Sequence, residues 1–503
     1  MPEILNVSMS QRANHLTTHF YNAQDSYLDY VNGAAKSKVD PNVFFNPTPS
    51  WDNRSITFNP RAMLFDLSGG FGSLGQYEYY LAMEAAQHHD DASPQDRLSQ
   101  TVEIVRQERI PKSEYLQALD TFQPTPELTT ENTTYWSDYA RIIYEPKSFN
   151  CVDNWEYHPK EYPGGRLRAG ASKTFLDYLV GVDEWKGRER VVHFMDDTFR
   201  VFLEKSDQLD GLNLMSEVDT AWGGMAGEFI TDMRDEFIPK TSVFTWGLHS
   251  PQPTGLTPQG TLSRVRASLA LINSSSLYIP LSDPTSLPEG LSVTPTSLWN
   301  TTALQMLPVD AVGVLLAQRA NRVSMTELEL GVTMGSKRNI VAETKGKVAG
   351  EMNYTLDFTG VSFKPSKSKN HVFSKTVVVR NATSLTSEEF DAEYETQLQD
   401  FGHYTELLEK GTELRGLVHH KSLIPFATPD SFPKGILGEQ TPVTCASMAV
   451  ATSTRASLLE MKTFVSRFLR GDDRESLIDE LETLALEYEH GWMDDDLSDD
   501  DDY

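Results

Sequence analysis

The chain has 503 residues, too many for one simple hydrophobic core and enough for two or three packed units. Hydrophobic residues make up 39% and aromatics 10%, so most of it is expected to fold, while 72 acidic against 44 basic residues leave a net charge of −28. That balance excludes broad nucleic-acid binding, which needs a basic face for phosphates, and fits a basic protein partner or simple colloidal solubility.

In chain order, residues 3–9 alternate apolar and polar side chains (Ile4, Val7 and Met9 among them) and predict a short strand. Ala13, Leu16, Phe20, Ala23, Tyr27 and Tyr30 recur at spacings of three and four, one face of a helix from about Gln11. A strand and a helix joined by a tight turn at Ser10 are how an α/β nucleotide-binding domain usually opens. The polar stretch 32–59, punctuated by Pro41, Pro47 and Pro49, reads as loop. Residues 61–67 form the next buried strand, stopped by Gly69 and Gly70. Helical patterns follow over 74–89, 97–122, 173–185 and 197–209. Another buried strand spans 212–218, then a glycine turn, a helix through Phe237 and a strand over 242–247. Prolines bracket the segment 260–279, and 295–319 reads as a helix that Pro308 should kink or split. This alternation predicts a mostly parallel sheet covered on both faces.

The character changes after about Arg322. A strand is predicted over 371–379, a helix over 387–408, a strand over 443–451 and two closing helices over 455–470 and 474–488. The last twenty residues hold nine acids and no Lys or Arg, a self-repelling run expected to stay disordered. Cys151 and Cys445 lie far apart without metal-type spacing, so a reducing compartment is the natural reading. The opening residues look like neither a secretory signal nor a transit peptide. No run approaches the ~18 apolar residues that cross a bilayer, so any membrane work is expected from the water side.

Two glycine clusters carry the candidate chemistry. Gly70-Phe-Gly72-Ser-Leu-Gly75 matches G-x-G-x-x-G, but it follows a later strand and lacks the acidic partner of a dinucleotide site, so it reads as a turn. Trp222-Gly223-Gly224-Met225-Ala226-Gly227 sits between a buried strand and a helix, where backbone N–H groups could receive phosphates. Close packing, with Asp219 capping the helix, explains it as well. His88-His89-Asp90-Asp91 and His419-His420 are too poorly spaced for a metal. No hydrolase elbow, P-loop or zincin motif is present, and nothing nominates a catalytic residue.

Together these pieces resemble tubulin. The opening, with Glu3, Ile4, Gln11 and Asn14, is in register with the tubulin start. Pro60-Arg-Ala-Met-Leu-Phe-Asp-Leu67 resembles the strand before tubulin's third phosphate loop, and Ala221-Trp-Gly-Gly-Met-Ala-Gly227 stands in place of its glycine-rich loop. The closer resemblance is to the Misato family, a divergent relative of tubulin. It rests on Gln11-Arg-Ala-Asn14, Thr18-His-Phe20, Asp66-Leu-Ser-Gly-Gly-Phe-Gly-Ser-Leu74, Trp136-Ser-Asp138, Ala221-Trp-Gly-Gly224 and Pro280-Leu-Ser-Asp-Pro284.

The resemblance implies a tubulin-like α/β fold: a nucleotide-binding-type domain over 1–320, a second α+β domain over 321–452, C-terminal helices over 453–490 and an acidic tail over 491–503. It implies a non-enzymatic factor in mitochondrial partitioning and mitochondrial DNA inheritance, peripheral to the outer membrane and present in the cytoplasm. Tubulin or a tubulin-handling chaperonin are the implied protein partners. The competing expectations are a GTP-binding switch or GTPase whose phosphate loops use Gln11, Asn14, Asp66, Gly69, Gly70, Gly223 and Gly224, and a tubulin- or chaperonin-associated cytoskeletal assembly factor that docks through its acidic surface. Ser10 and Ala13 replace tubulin glycines, Trp222 and Met225 add bulk, and no acidic loop pattern appears over 341–353, where only Glu343 and Glu351 offer themselves. These departures argue against GTP hydrolysis and against filament formation.

Overall fold

Every residue of the first strand beyond Pro2 is buried, the mark of a central strand covered on both faces. The computed structural model describes residues 2–30, 36–49, 56–77, 110–168, 173–187, 191, 194–250, 257–283, 287, 291, 293–348, 353–357, 371–382, 385–402, 416–437 and 444–490. In chain order the elements begin β1 (Pro2–Met9), α1 (Gln11–Ser26), β2 (Phe45–Pro49), β3 (Ile56–Pro60), β4 (Ala62–Ser68) and α2 (Glu114–Asp120). Next come β5 (Phe149–His158), β6 (Tyr162–Leu167), α3 (Tyr178–Lys186), α4 (Arg200–Glu204), β7 (Gln208–Glu217), α5 (Ala221–Glu236), β8 (Ser242–His249), α6 (Pro258–Ser274) and β9 (Leu277–Ser282). The rest is α7 (Leu298–Ala317), α8 (Met325–Thr333), β10 (Glu343–Lys347), β11 (Asn353–Asp357), β12 (Val372–Arg380), α9 (Ser387–Gly402), β13 (Leu417–Ser422), α10 (Lys434–Leu437), β14 (Thr444–Ala451), α11 (Ser453–Phe468) and α12 (Asp472–Leu486).

Seven strands form one sheet in the order β6-β5-β4-β1-β7-β8-β9. All neighbours pair parallel except β6, which runs antiparallel at the edge. The fold is the expected tubulin-like α/β arrangement, with a mostly parallel sheet and C-terminal helices. A five-stranded sheet, β11-β10-β14-β12-β13, follows in the C-terminal part. Helix α7 packs on α1 and against β10, β12 and β14, so it fills the seam between the first layer and the second sheet.

Several local expectations change. The stretch read as loop contains the hairpin β2–β3, whose register pairs Phe45 with Pro60. Proline is tolerated there because the ribbon is two-stranded and leaves edges free. Tyr30 lies beyond the end of α1 and is exposed, not on its buried face. Of the helices expected over 74–89 and 97–122, the described residues show a short 3-10 turn at Gly72–Tyr77 and α2; residues 78–109 lie outside the description. Helix α3 begins only at Tyr178, and a π-turn at Phe194–Phe199 leads into α4. Leu209 already belongs to β7, which starts at Gln208.

Pro308 does not split its helix, for α7 runs through it unbroken. A proline lacks the N–H that would bond the carbonyl four residues back. That freed carbonyl, Leu304 O, accepts the buried Tyr354 hydroxyl from β11 at 2.9 Å. Tyr354→Phe is therefore expected to cost about 1–3 kcal/mol, the penalty of an unsatisfied buried acceptor, read as a lowered urea midpoint. An unchanged midpoint would show that α7 tolerates Pro308 without this bond.

Candidate functional site

β4 and β7 flank β1 in the sheet and run parallel to it, so the segments after Met9, Ser68 and Glu217 emerge side by side at one rim. Ligand sites of open α/β sheets lie at such carboxyl ends. Gln11, the first residue of α1, donates from Nε2 to Asp66 Oδ2 at 2.8 Å and to Gly70 O at 2.5 Å. Asn14 Nδ2 donates to Asp66 Oδ2 at 2.9 Å and to Phe65 O at 3.0 Å. Trp136 Nε1 reaches the same Oδ2 at 3.1 Å, and Asp66 Oδ1 accepts from Leu67 N at 2.8 Å. Burial pushes the fully enclosed Asp66 carboxyl up to about 7, against these donors, which pull it down. A Cβ at Gly70 would collide with the Asp66 carboxylate and the Gln11 amide, so the clasp itself requires glycine there. Gly69 next to it turns with φ +83°.

Ser10 holds the turn with φ 124°, a conformation that favours glycine, while its Oγ caps α1 by accepting from Ala13 N at 3.1 Å. The strain is thus retained in the chain although the glycine is not.

On the other flank, Gly223 and Gly224 do not form a turn ahead of the helix. They lie inside the first turn of α5. A Cβ on Gly224 would strike Tyr178 O of α3, and one on Gly181 of α3 would strike Ala221 O of α5. Helix α3 therefore lies directly across the N-terminal turn of α5. Ala221 N donates to Phe175 O at 3.4 Å, and the Phe175 ring meets Trp222 and Trp155, each with centroids 5.0 Å apart. Asp219 does not cap the helix either. It accepts from Arg264 Nε at 2.5 Å and Nη2 at 2.9 Å, and from Ser250 N at 2.5 Å. Burial alone would raise its carboxyl, but His249 and Arg264 outweigh that and hold it well below the usual range.

Between the two flanks lies a cleft of about 100 Å³, lined by Gln11, Asp66, Tyr157, Phe175, Glu217, Thr220 and Trp222 among others. Pockets that enclose a drug-sized ligand usually measure roughly 300–1,000 Å³. Its lining has two carboxylates, Asp66 and Glu217, and no lysine or arginine. As arranged, these residues do not fit the phosphates of GTP: the Ala221 N–H at the helix start is already taken by Phe175 O, the space is small and the lining offers carboxylates without a lysine or arginine.

Residues 2–121 match the Misato Segment II tubulin-like domain, and residues 125–319 match a tubulin domain. Protein DML1 of Yarrowia lipolytica is 31% identical over 512 residues, covering 100% of both chains. Protein dml1 of Aspergillus niger is 31% identical over 519 residues, again covering 100% of both, and Protein DML1 of Kluyveromyces lactis is 30% identical, covering 99% of each. The chain belongs to the Misato family.

In this Misato-family chain the rim brings Gln11, Asn14, Asp66, Gly69 and Gly70 together, whereas Gly224 serves the contact of α3 with α5 and Gly223 the contact of α5 with Ala267 of α6 and with Val218. In the sequence Trp136 stands out only as part of a family motif; its bond to Asp66 spans 70 residues and leaves no local pattern. Phe175, Glu217 and Thr220 were likewise missed, since nothing in their spacing points to a cleft. His419 and His420 sit on β13, and Glu343 on β10 pairs with Lys345 at 2.9 Å. His88–Asp91, Pro284, Glu351 and the acidic tail over 491–503 lie outside the described residues. Among the described residues no group of three or more His, Cys, Asp or Glu is placed to hold a metal.

Proposed function

We propose that this Misato-family chain is a non-enzymatic factor in mitochondrial partitioning and mitochondrial DNA inheritance, acting through protein partners and without GTP at its tubulin-type rim. One observation carries the nucleotide-free half: the cleft at the N-terminus of α5 is small and lined by Asp66 and Glu217 with no lysine or arginine, and Phe175 O already takes the Ala221 N–H. Helix N-termini bind phosphate only when their N–H groups are open to it. Family membership supports the mitochondrial half. Among the described residues no helix is long and apolar enough to cross a membrane, which agrees with work at the outer face of the organelle. Tubulin or chaperonin are the partners to seek, with the net charge of −28 favouring a basic docking face.

The expected result is no saturable GTP binding to the purified chain up to about 1 mM and no hydrolysis above background, followed by Trp fluorescence and phosphate release. A dissociation constant well below that concentration would overturn the nucleotide-free reading. The competing switch has one observation in its favour: Gln11, Asn14, Asp66 and Gly70 stand together at one rim of the sheet. Loss of the chain from cells should disperse or mis-segregate mitochondria, and affinity capture should retain a protein partner. Normal organelle inheritance in such cells would remove the mitochondrial half.

A further inference from the structure

The cleft that repels phosphate has the features of a receptor for positive charge. Two carboxylates line it, Asp66 enclosed and Glu217 half-buried. Asp66 is already saturated by four N–H donors, so it supplies charge but no free lone pair of note. Gln11 is different: only 8% exposed, it lines the cleft with Oε1 unpaired. Thr220 Oγ1, also in the lining, is buried and unpaired. A buried polar atom left without a partner is costly and calls for an explanation.

The walls carry the second half of the recognition. Phe175 and Trp222 meet edge to face at 5.0 Å with Tyr157 beside them in the lining, and an aromatic face attracts a cation within about 6 Å. Leu176, 44% exposed, stands in the lining where an alkyl stem would pass.

We propose that this cleft binds a primary ammonium group on an alkyl stem, as a partner's lysine side chain or a free diamine presents it. An ammonium has three N–H donors and no acceptor. The Glu217 carboxylate is the acceptor at hand, and Gln11 Oε1 and Thr220 Oγ1, unpaired and shut off from solvent on residues of the same lining, are acceptors that a side-chain turn would bring to the ammonium. The aromatic rings take the methylenes, and a cleft of about 100 Å³ admits such a group while refusing a nucleotide. This inference stands apart from the mitochondrial reading, for it concerns only what the cleft accepts.

The sign of its pH dependence follows from the surroundings. Burial first pushes both carboxyls up to about 7, so each is largely protonated below that pH. Arg12 of α1 pulls Glu217 down, while Asp219 and Asp283 push it up; Tyr157 of β5 faces both cleft carboxylates. Arg12 is engaged with Asp283 at 2.6 Å, and Asp219 with Arg264 and His249. Ammonium binding needs the ionised form, so affinity rises with pH and binding releases protons.

The test is calorimetric titration of the full chain with 1,4-diaminobutane and with acetyl-Gly-Lys-Gly-amide, n-butanol serving as the uncharged control. Saturable one-to-one binding of at least one amine is expected, with none of butanol. Tighter binding of the peptide marks a lysine of a partner, tighter binding of the diamine a free ligand. Affinity should fall about tenfold for each participating carboxylate between about pH 8 and about pH 6. Glu217→Gln should weaken binding at least about tenfold without lowering the thermal midpoint. No binding of either amine at about 50 mM, or binding that ignores both pH and Glu217→Gln, would overturn the assignment. The pH series on the unmodified chain keeps the test decisive even if the variant folds poorly.

Discussion

Gly224→Val is expected to destabilise the chain by at least about 3 kcal/mol, the upper end of the cost of overpacking. Its new Cβ would fall inside the envelope of Tyr178 O, a backbone atom that cannot rotate aside. Gly181 on the facing helix is blocked in the same way by Ala221 O, so neither helix can yield toward the other. Separating α3 from α5 would also open the ring cluster behind them, where Trp185 lies 5.4 Å from Phe229 and 5.8 Å from Phe194. The control sits one turn along. A Cβ on Gly227 would meet the Ala270 methyl at 3.0 Å and the Tyr178 hydroxyl at an ordinary 4.0 Å, and alanine favours a helix over glycine by about 1 kcal/mol. Gly227→Ala should therefore shift stability by less than about 1 kcal/mol. Denaturant titration followed by near-UV circular dichroism distinguishes the two, and equal losses would contradict the close helix crossing. Because Gly224→Val strikes the fold first, loss of nucleotide binding in such a variant would say nothing about a phosphate loop.

Arg380→Ala is expected to cost about 3–5 kcal/mol, because it would leave the buried Asp310 without its counter-charge. Arg380 Nη1 meets Asp310 Oδ2 at 2.6 Å, with the two side chains 1% and 0% exposed. Asp310 also accepts from Gln24 at 2.8 Å and from Tyr27 Oη at 2.6 Å. The guanidinium donates further to Tyr27 Oη at 2.9 Å, Ile424 O at 3.2 Å and Pro425 O at 3.1 Å. This one network ties α1 and α7 to β12 of the second sheet. Its loss should uncouple the two layers, seen as a second unfolding transition by calorimetry. Replacing both partners, Asp310→Leu with Arg380→Met, should recover a large part of the loss, since an apolar pair strands no charge. If the double variant is as unstable as the single one, the geometry of the network and not its stranded charge sets the stability.

The family motifs and the buried strands were legible because they are local. Ile4, Val7 and Met9 followed by Ala13, Leu16 and Phe20 announce a strand and then a helix through a change of period alone. Strands with weak or opposing local content were not legible. β6 reads Tyr-Pro-Gly-Gly-Arg-Leu and exists only as an antiparallel edge on β5, where proline and glycine are tolerated. β10 reads Glu-Thr-Lys-Gly-Lys and becomes a strand because β11 and β14 pair with it on both sides.

The sequence by itself determined a tubulin-like, mostly parallel sheet, since hydrophobic period and motif order are properties of neighbouring residues. The strand order then puts the turns after β1, β4 and β7 at one rim. What those turns face was decided only in three dimensions. The same Gly223-Gly224 pair could meet a phosphate or another helix, and the arrival of Ala267 from α6 beside Gly223 and of Tyr178 from α3 beside Gly224 selects the helices. Likewise Asp66 could have stood open to a ligand, but Trp136, Gln11 and Asn14 converge on it from distant segments. A backbone N–H or a carboxylate bonds whatever group lies within about 3 Å, and that neighbour comes from the packing of remote parts of the chain.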